Sequence, residues 1–268
     1  MLDNIIIGQY IPGRSIVHQM DPRAKLISVF LFMVFLFVSR HPLALGTAFL
    51  ITIVSLILAK VPLRFYIKGM RIIAIIIFIT FLLHLFLTRE GPVLVELPFV
   101  TVYLGGVIEG GIVAVRVLML VMMASLITLT TTPVDLTDGL ETLMTPLKKI
   151  GLPAHELAFT MGIAIRFIPT LLDETSKIIK AQMARGANFT HGSIWRRLKA
   201  LVPIFIPLFV QSFKRAEDLA IAMEARGYEG GEGRTKFRQL SWQNKDTVSI
   251  FVIGLFIVIA LSTRVMYS

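Results

Sequence analysis

Ala181-Gln182-Met183-Ala184-Arg185-Gly186 and Ala222-Met223-Glu224-Ala225-Arg226-Gly227 close two long segments, Pro153 to Gly186 and Trp195 to Gly227. Neither segment has the unbroken apolar run of a membrane span, and both stop on alanine, arginine and glycine. As helices rising about 1.5 Å per residue they would be rods of roughly 50 Å. A basic residue in the last turn followed by glycine is an ordinary helix stop. Repetition weighs against that reading alone, because both ends share Ala, three intervening residues, Arg and Gly. A small residue beside a terminal arginine lets another protein approach the backbone while the guanidinium reaches into it. The rest of the chain then serves to hold the two rods at a membrane.

Composition supports that setting. The 268 residues are 55% hydrophobic and contain no cysteine, and mean hydropathy is +0.78. This is an all-α, polytopic membrane protein rather than one or two soluble domains. Without cysteine there is no disulfide, thiolate catalyst or iron–sulfur site. Asp3, Pro12 and Pro22 leave no clean apolar region for a cleavable signal peptide. The formal charge of +10 suits basic residues massed on the cytoplasmic side of a membrane protein.

Five apolar stretches are expected as spans: Leu26 to Val38, Leu43 to Ala59, Ile72 to Leu87, about Gly106 to Thr130, and Val248 to Leu261. With flanking residues each approaches the about 20 residues a bilayer requires, although the last is short. Arg40-His41-Pro42 allows a tight turn, and Thr88 to Tyr103 reads as a loop with Pro92 and Pro98. The connection from Lys60 to Arg71 holds four basic residues and no acid, whereas Thr88 to Tyr103 holds Arg89 against Glu90 and Glu96. The former is therefore inside. Alternation puts the amino terminus and Pro133 to Asp246 inside too, and that region carries sixteen of the twenty-seven lysines and arginines. The basic excess is a cytoplasmic domain and not a nucleic-acid patch. The expected division is 1–132 for four spans, 133–246 for the coupling domain and 247–268 for the final span.

Within the coupling domain, Thr132-Pro133 supplies a cap and first-turn proline for a short helix, expected from Asp135 to Lys149 and ended by Ile150-Gly151-Leu152-Pro153. The first rod starts at Ala154. It has an apolar stripe at Leu157, Met161, Ala164, Ile165, Ile168, Leu171 and Leu172, with Pro169 expected to kink it. The second rod carries Pro203 and Pro207 in an apolar first half, which suits a re-entrant or interfacial segment and a helix buried between subunits equally. Tyr228 to Asp246 is a polar, Gly-rich linker.

Catalytic motifs do not emerge. Gly105 to Gly110 has the glycine spacing of a phosphate-binding loop, but Gly111-Ile112 stands where Lys and Ser or Thr should follow. The chain is therefore expected to be no ATPase itself. His155-Glu156 begins like a zinc-protease motif, yet Phe159 takes the second histidine's place, so no metal site and no cofactor are expected. Asn188-Phe189-Thr190 is a glycosylation triplet on the side assigned to the cytoplasm. Among the spans, His84, Glu109 and Arg116 are ionisable. Arg116 is expected to be structural, pairing with Glu109 or helix-end carbonyls, because no row of acids supports a proton path. The halves of the chain show no similarity of the kind inverted-repeat carriers have.

Ser15-Ile16-Val17-His18, Asp21-Pro22-Arg23-Ala24-Lys25, Thr132-Pro133, Leu152-Pro153, Ile165-Arg166-Phe167-Ile168-Pro169 and the paired Ala-Arg-Gly ends together resemble the transmembrane scaffold, or T component, of energy-coupling factor transporters. The resemblance covers nearly the whole chain, and its most specific part is the paired ends. It implies a non-catalytic, multi-pass subunit of the cell membrane. Such a subunit joins two cytoplasmic ABC-type ATPases to an S component, a small membrane protein that captures a vitamin or related micronutrient. It further implies that the rods are coupling helices crossing near each other. Arg185 and Arg226 would each enter a groove of one ATPase, with Ala184, Gly186, Ala225 and Gly227 permitting close approach. Pro169, Pro203, Pro207 and Arg116 would be structural. A self-sufficient carrier and a membrane-embedded enzyme remain as other classes.

Overall fold

The computed structural model describes residues 10–38, 42–96, 101–146, 153–187, 193–230 and 240–266. The Arg40-His41 turn, Pro98, the Lys149 to Leu152 stop, the Asn188-Phe189-Thr190 triplet and residues 231–239 of the linker lie outside them. In chain order the elements are α1 (Pro22–Val38), α2 (Pro42–Ala59), α3 (Leu63–Leu87), β1 (Val93–Glu96), β2 (Thr101–Tyr103), α4 (Leu104–Thr130), α5 (Pro133–Met144), α6 (Ala154–Ala184), α7 (Ile194–Ala225) and α8 (Asn244–Met266). They fall into two units, one of residues 8–142 with 240–268, the other including 143–239.

The first unit contains the apolar helices. α2 and α4, with mean hydropathies of 2.3 and 2.5, are each long and apolar enough to cross a membrane, and Ile73–Leu87 is a shorter apolar stretch within α3. Large side chains such as Phe30, Phe37, Ile57 and Phe78 are exposed, as expected where lipid rather than water surrounds a helix. Lipid is as apolar as leucine, so close van der Waals packing of small residues must hold such helices together. Ala44, Ala48 and Ala59 are buried on one side of α2. Phe32, Phe35 and Leu36 of α1 share a core with Ala48 of α2 and with Met119 and Met123 of α4. α3 meets α4 along Gly106 and Gly110, where an added Cβ would lie 2.8 Å from the His84 carbonyl oxygen and 3.0 Å from the Phe81 ring respectively. Gly110, one of the two glycines that imitate a phosphate-binding loop, is thus a helix-packing residue.

Several boundaries differ from the sequence expectation for local reasons. The last span is a helix of 23 residues, Asn244–Met266, about 34 Å long and sufficient for a hydrocarbon core of about 30 Å. Its polar first turn extends it beyond the apolar run. The short helix starts at Pro133 and ends at Met144. The Thr132 hydroxyl accepts the Asp135 backbone N–H at 3.1 Å, so Thr132 caps it as its sequence suggests. The connection read as a loop contains an antiparallel hairpin, with Val95 opposite Val102 and Glu96 opposite Thr101. The β-branched and aromatic residues of Val-Leu-Val-Glu and Thr-Val-Tyr favour that conformation.

A buried polar cluster joins the starts of α1 and α8 to the end of α4. Asp246, fully buried, accepts the Gln243 N–H at 2.7 Å through Oδ2 and the Asp21 N–H at 3.0 Å through Oδ1. Asp21 in turn caps α1 by accepting the Arg23 N–H at 2.9 Å, while Arg23 grips its carboxylate through Nε at 3.0 Å and Nη2 at 2.8 Å. Burial acts to raise the Asp21 carboxyl, but these hydrogen bonds and the charges of Arg23 and Lys25 hold it below the usual carboxylate value. Lys25 Nζ, also buried, donates to the Thr130 carbonyl at 3.1 Å and to Thr131 Oγ1 at 2.9 Å. A cation there complements the carbonyl end of α4. Upstream, His18 Nε2 lies 3.0 Å from the Ile11 carbonyl, which can only accept. Its other ring nitrogen, Nδ1, lies 2.6 Å from the Ser15 hydroxyl oxygen.

In the second unit α6 runs unbroken through Pro169, and α7 through Pro203 and Pro207. The apolar stripe of α6 is half-buried at Ile165, Leu171 and Leu172 and exposed at Leu157, Met161 and Ile168.

Candidate coupling site

The two Ala-Arg-Gly ends fold alike. At the end of α6, the Gly186 N–H bonds the Met183 carbonyl at 3.0 Å and the Ala187 N–H bonds the Gln182 carbonyl at 3.0 Å. At the end of α7, the Gly227 N–H bonds the Glu224 carbonyl at 2.9 Å and the Tyr228 N–H bonds the Met223 carbonyl at 3.0 Å. Each is a Schellman motif, in which the two residues after the cap turn back onto carbonyls of the last turn. It requires a left-handed residue at its apex, and Gly186 has φ +86° and Gly227 φ +68°. A side chain is disfavoured there by backbone strain and not by crowding, because a Cβ at either glycine meets nothing within 4 Å.

Arg185 and Arg226 are the cap residues themselves, and both are exposed, as are Ala184 and Ala225 before them. Each end therefore presents a guanidinium flanked by a methyl group and a bare backbone.

Contacts at three levels set the relative placement of the ends. Gln182 Nε2 donates to the Pro203 carbonyl at 3.4 Å. Glu174 Oε1 accepts from Gln211 Nε2 at 3.0 Å and pairs with Arg215. Tyr228 stacks on Phe159, with centroids 5.3 Å apart and planes inclined by 16°. As the α6 number falls the α7 number rises, so the two helices run antiparallel. Arg185 and Arg226 consequently stand at opposite ends of the pair, separated by about 25 residues of helix, or roughly 38 Å.

Arg166 and Phe159 of α6 come to the Arg226 end, where with Tyr228 and Glu229 they border a cavity of about 520 Å³. None of the four is singled out for that end by the local sequence. Their only signal is spacing: Phe159, Ile163 and Arg166 follow a helical period, as do Leu219, Met223 and Arg226. Arg116 is partly buried on α4, in the other unit. Among the described residues no cluster of three or more His, Cys, Asp or Glu is placed to hold a metal ion.

The family model of the CbiQ cobalt transport protein matches residues 13–237. Three relatives are energy-coupling factor transporter transmembrane proteins EcfT. The chain is 59% identical over 266 residues to the one from Bacillus selenitireducens, covering 99% of both chains. It is 51% identical over 257 residues to that of Bacillus subtilis, covering 95% of this chain and 97% of the relative. Against that of Staphylococcus aureus the identity is 46% over 253 residues, 94% of each. With similarity at this level along nearly its whole length, the chain belongs to the family of energy-coupling factor transporter transmembrane proteins.

Proposed function

We propose that this chain is the coupling subunit of an ATP-driven importer of vitamins or other micronutrients in the cell membrane. Two ABC-type ATPases dock from the cytoplasm, one at Arg185 and one at Arg226. Their approach and separation during ATP hydrolysis move α6 and α7, and the apolar helices pass that motion to a membrane subunit that holds the substrate. Hydrolysis belongs to the ATPases and substrate binding to the capturing subunit, so the work of this chain is mechanical.

The observation that carries the reading is the pair of matched, exposed Ala-Arg-Gly caps at opposite ends of one antiparallel helix pair. Two like projections roughly 38 Å apart suit two like partners, each of which can pull on one end. The test is reconstitution. The full chain is expected to co-purify with two nucleotide-binding proteins and a small membrane protein, and the assembly in liposomes to take up substrate only with ATP on the cytoplasmic side. Substrate uptake by liposomes holding this chain alone would overturn the proposal in favour of a self-sufficient carrier.

A further inference from the structure

The Arg185 and Arg226 ends share a backbone but differ in what surrounds them. After Gly186 the chain continues with Ala187, and after Gly227 with Tyr228. Tyr228 folds back to stack on Phe159, and the stack borders the cavity of about 520 Å³ into which Arg166 and Arg226 both open. That volume lies within the range of pockets that take up small ligands or side chains. One carboxylate, Glu229, lines the cavity with the two arginines, and among the described residues neither arginine forms an ion pair. The cavity thus has an excess positive charge, an aromatic border and open sides.

We propose that this cavity is a two-arginine socket for an acidic side chain of the ATPase that docks at Arg226. Arg166 supplies the second cation of the contact, and the Phe159–Tyr228 stack supplies its apolar border. A carboxylate has room for two guanidiniums, and such charge-assisted hydrogen bonds are stronger than neutral ones. Placing the occupant between two arginines also selects against an uncharged or basic residue, which would leave both guanidiniums facing an unsuitable group. The two ATPase contacts are then inequivalent, with the Arg226 end the more selective for charge. The inference rests on the reading of Arg226 as an ATPase contact and adds Arg166, Phe159 and Tyr228 to it.

The test uses the full chain in lipid nanodiscs and the purified ATPases of its transporter, with dissociation constants measured over a series of salt concentrations. In an Arg185→Ala background, which leaves the Arg226 end to bind, Arg166→Gln is expected to weaken binding about tenfold and to flatten its salt dependence. In an Arg226→Ala background Arg166→Gln should change little, because binding then runs through the Arg185 end. Arg166→Lys should restore part of the affinity. Arg166 is exposed, so these variants should keep the size-exclusion profile of the parent. If Arg226→Ala weakens binding but Arg166→Gln does not, Arg226 stands as a contact and the socket is overturned. Full affinity in Arg166→Met combined with loss in Phe159→Ala would also overturn it, by showing an apolar occupant. If neither Arg185→Ala nor Arg226→Ala weakens binding, the underlying docking reading fails and the socket with it.

Discussion

Asp246 Oδ1 accepts the backbone N–H of Asp21 at 3.0 Å across 225 positions of sequence. The same carboxylate closes the first turn of α8 through the Gln243 N–H. Removing it orphans two N–H groups, one fully enclosed, each costing about 1 to 3 kcal/mol. Asp246→Ala should lower the apparent unfolding midpoint of the detergent-solubilised chain by about 5 °C or more. Asp246→Asn, which keeps one acceptor oxygen, should fall between. A midpoint unchanged in Asp246→Ala would show that this contact does not hold α1 to α8.

Acid should act on the same cluster through Asp21. Its carboxyl binds a proton less readily in the fold than in the unfolded chain, whose value is near 3.8. Its contribution is therefore complete above the ordinary carboxylate range and is lost as pH falls through the lower, folded value. Asp21→Asn should lower the unfolding midpoint at neutral pH and lose less than the parent between about pH 5 and pH 3. Parallel pH curves for the two proteins would remove Asp21 from the account.

At the coupling ends the losses should add. Each guanidinium desolvated in a partner's groove leaves groups unpaired when removed, at a typical cost of about 2 to 5 kcal/mol. Arg185→Ala and Arg226→Ala should each weaken one ATPase contact by more than about tenfold, and the pair together should lose both ATPases and all uptake. Folding should survive, since both side chains are exposed. Normal co-purification and uptake in the double variant would reduce both motifs to helix stops.

Gly227 separates backbone strain from access. Gly227→Ala forces a side chain into the left-handed region at a cost of about 1 kcal/mol. Gly227→Asn tolerates that angle better, and within the chain an added Cβ meets nothing. Gly227→Asn should therefore stay folded yet bind ATPase more weakly, because its side chain blocks the partner's approach. Wild-type binding by Gly227→Asn would show that the glycine serves the turn alone.

Orientation can be read by labelling, because the chain has no cysteine of its own. Ser193→Cys, at the exposed start of α7, should react with an impermeant maleimide only after the membrane is opened. Leu94→Cys in the hairpin, 51% exposed in the parent, should react from outside. Labelling of Ser193→Cys in intact cells would overturn the assignment of α6 and α7 to the cytoplasm.

Much of the fold was legible because it follows from local rules. A bilayer demands long apolar runs, and such runs as Leu43 to Ala59 stand out in composition alone. Thr132 and Pro133 announce a helix start by their own chemistry. The Ala-Arg-Gly ends could be found because each is contiguous and the two repeat. By contrast, Gly105 and Gly110 invited comparison with a nucleotide loop, since the residues Gly110 packs against, Phe81 and His84, lie on another helix.

The sequence by itself therefore determined the helices, their membrane character and the two arginine-tipped ends, all of which depend on neighbours along the chain. Tertiary structure decided which distant groups meet. It paired Asp21 with Asp246, and it laid α6 and α7 antiparallel so that Arg185 and Arg226 face opposite ends. It also carried Arg166 and Phe159 to the Arg226 end. Helical periodicity shows which residues share a face, but the partner of that face is set by the packing of whole helices. No local pattern encodes that choice, because the groups it joins are separated by tens or hundreds of residues.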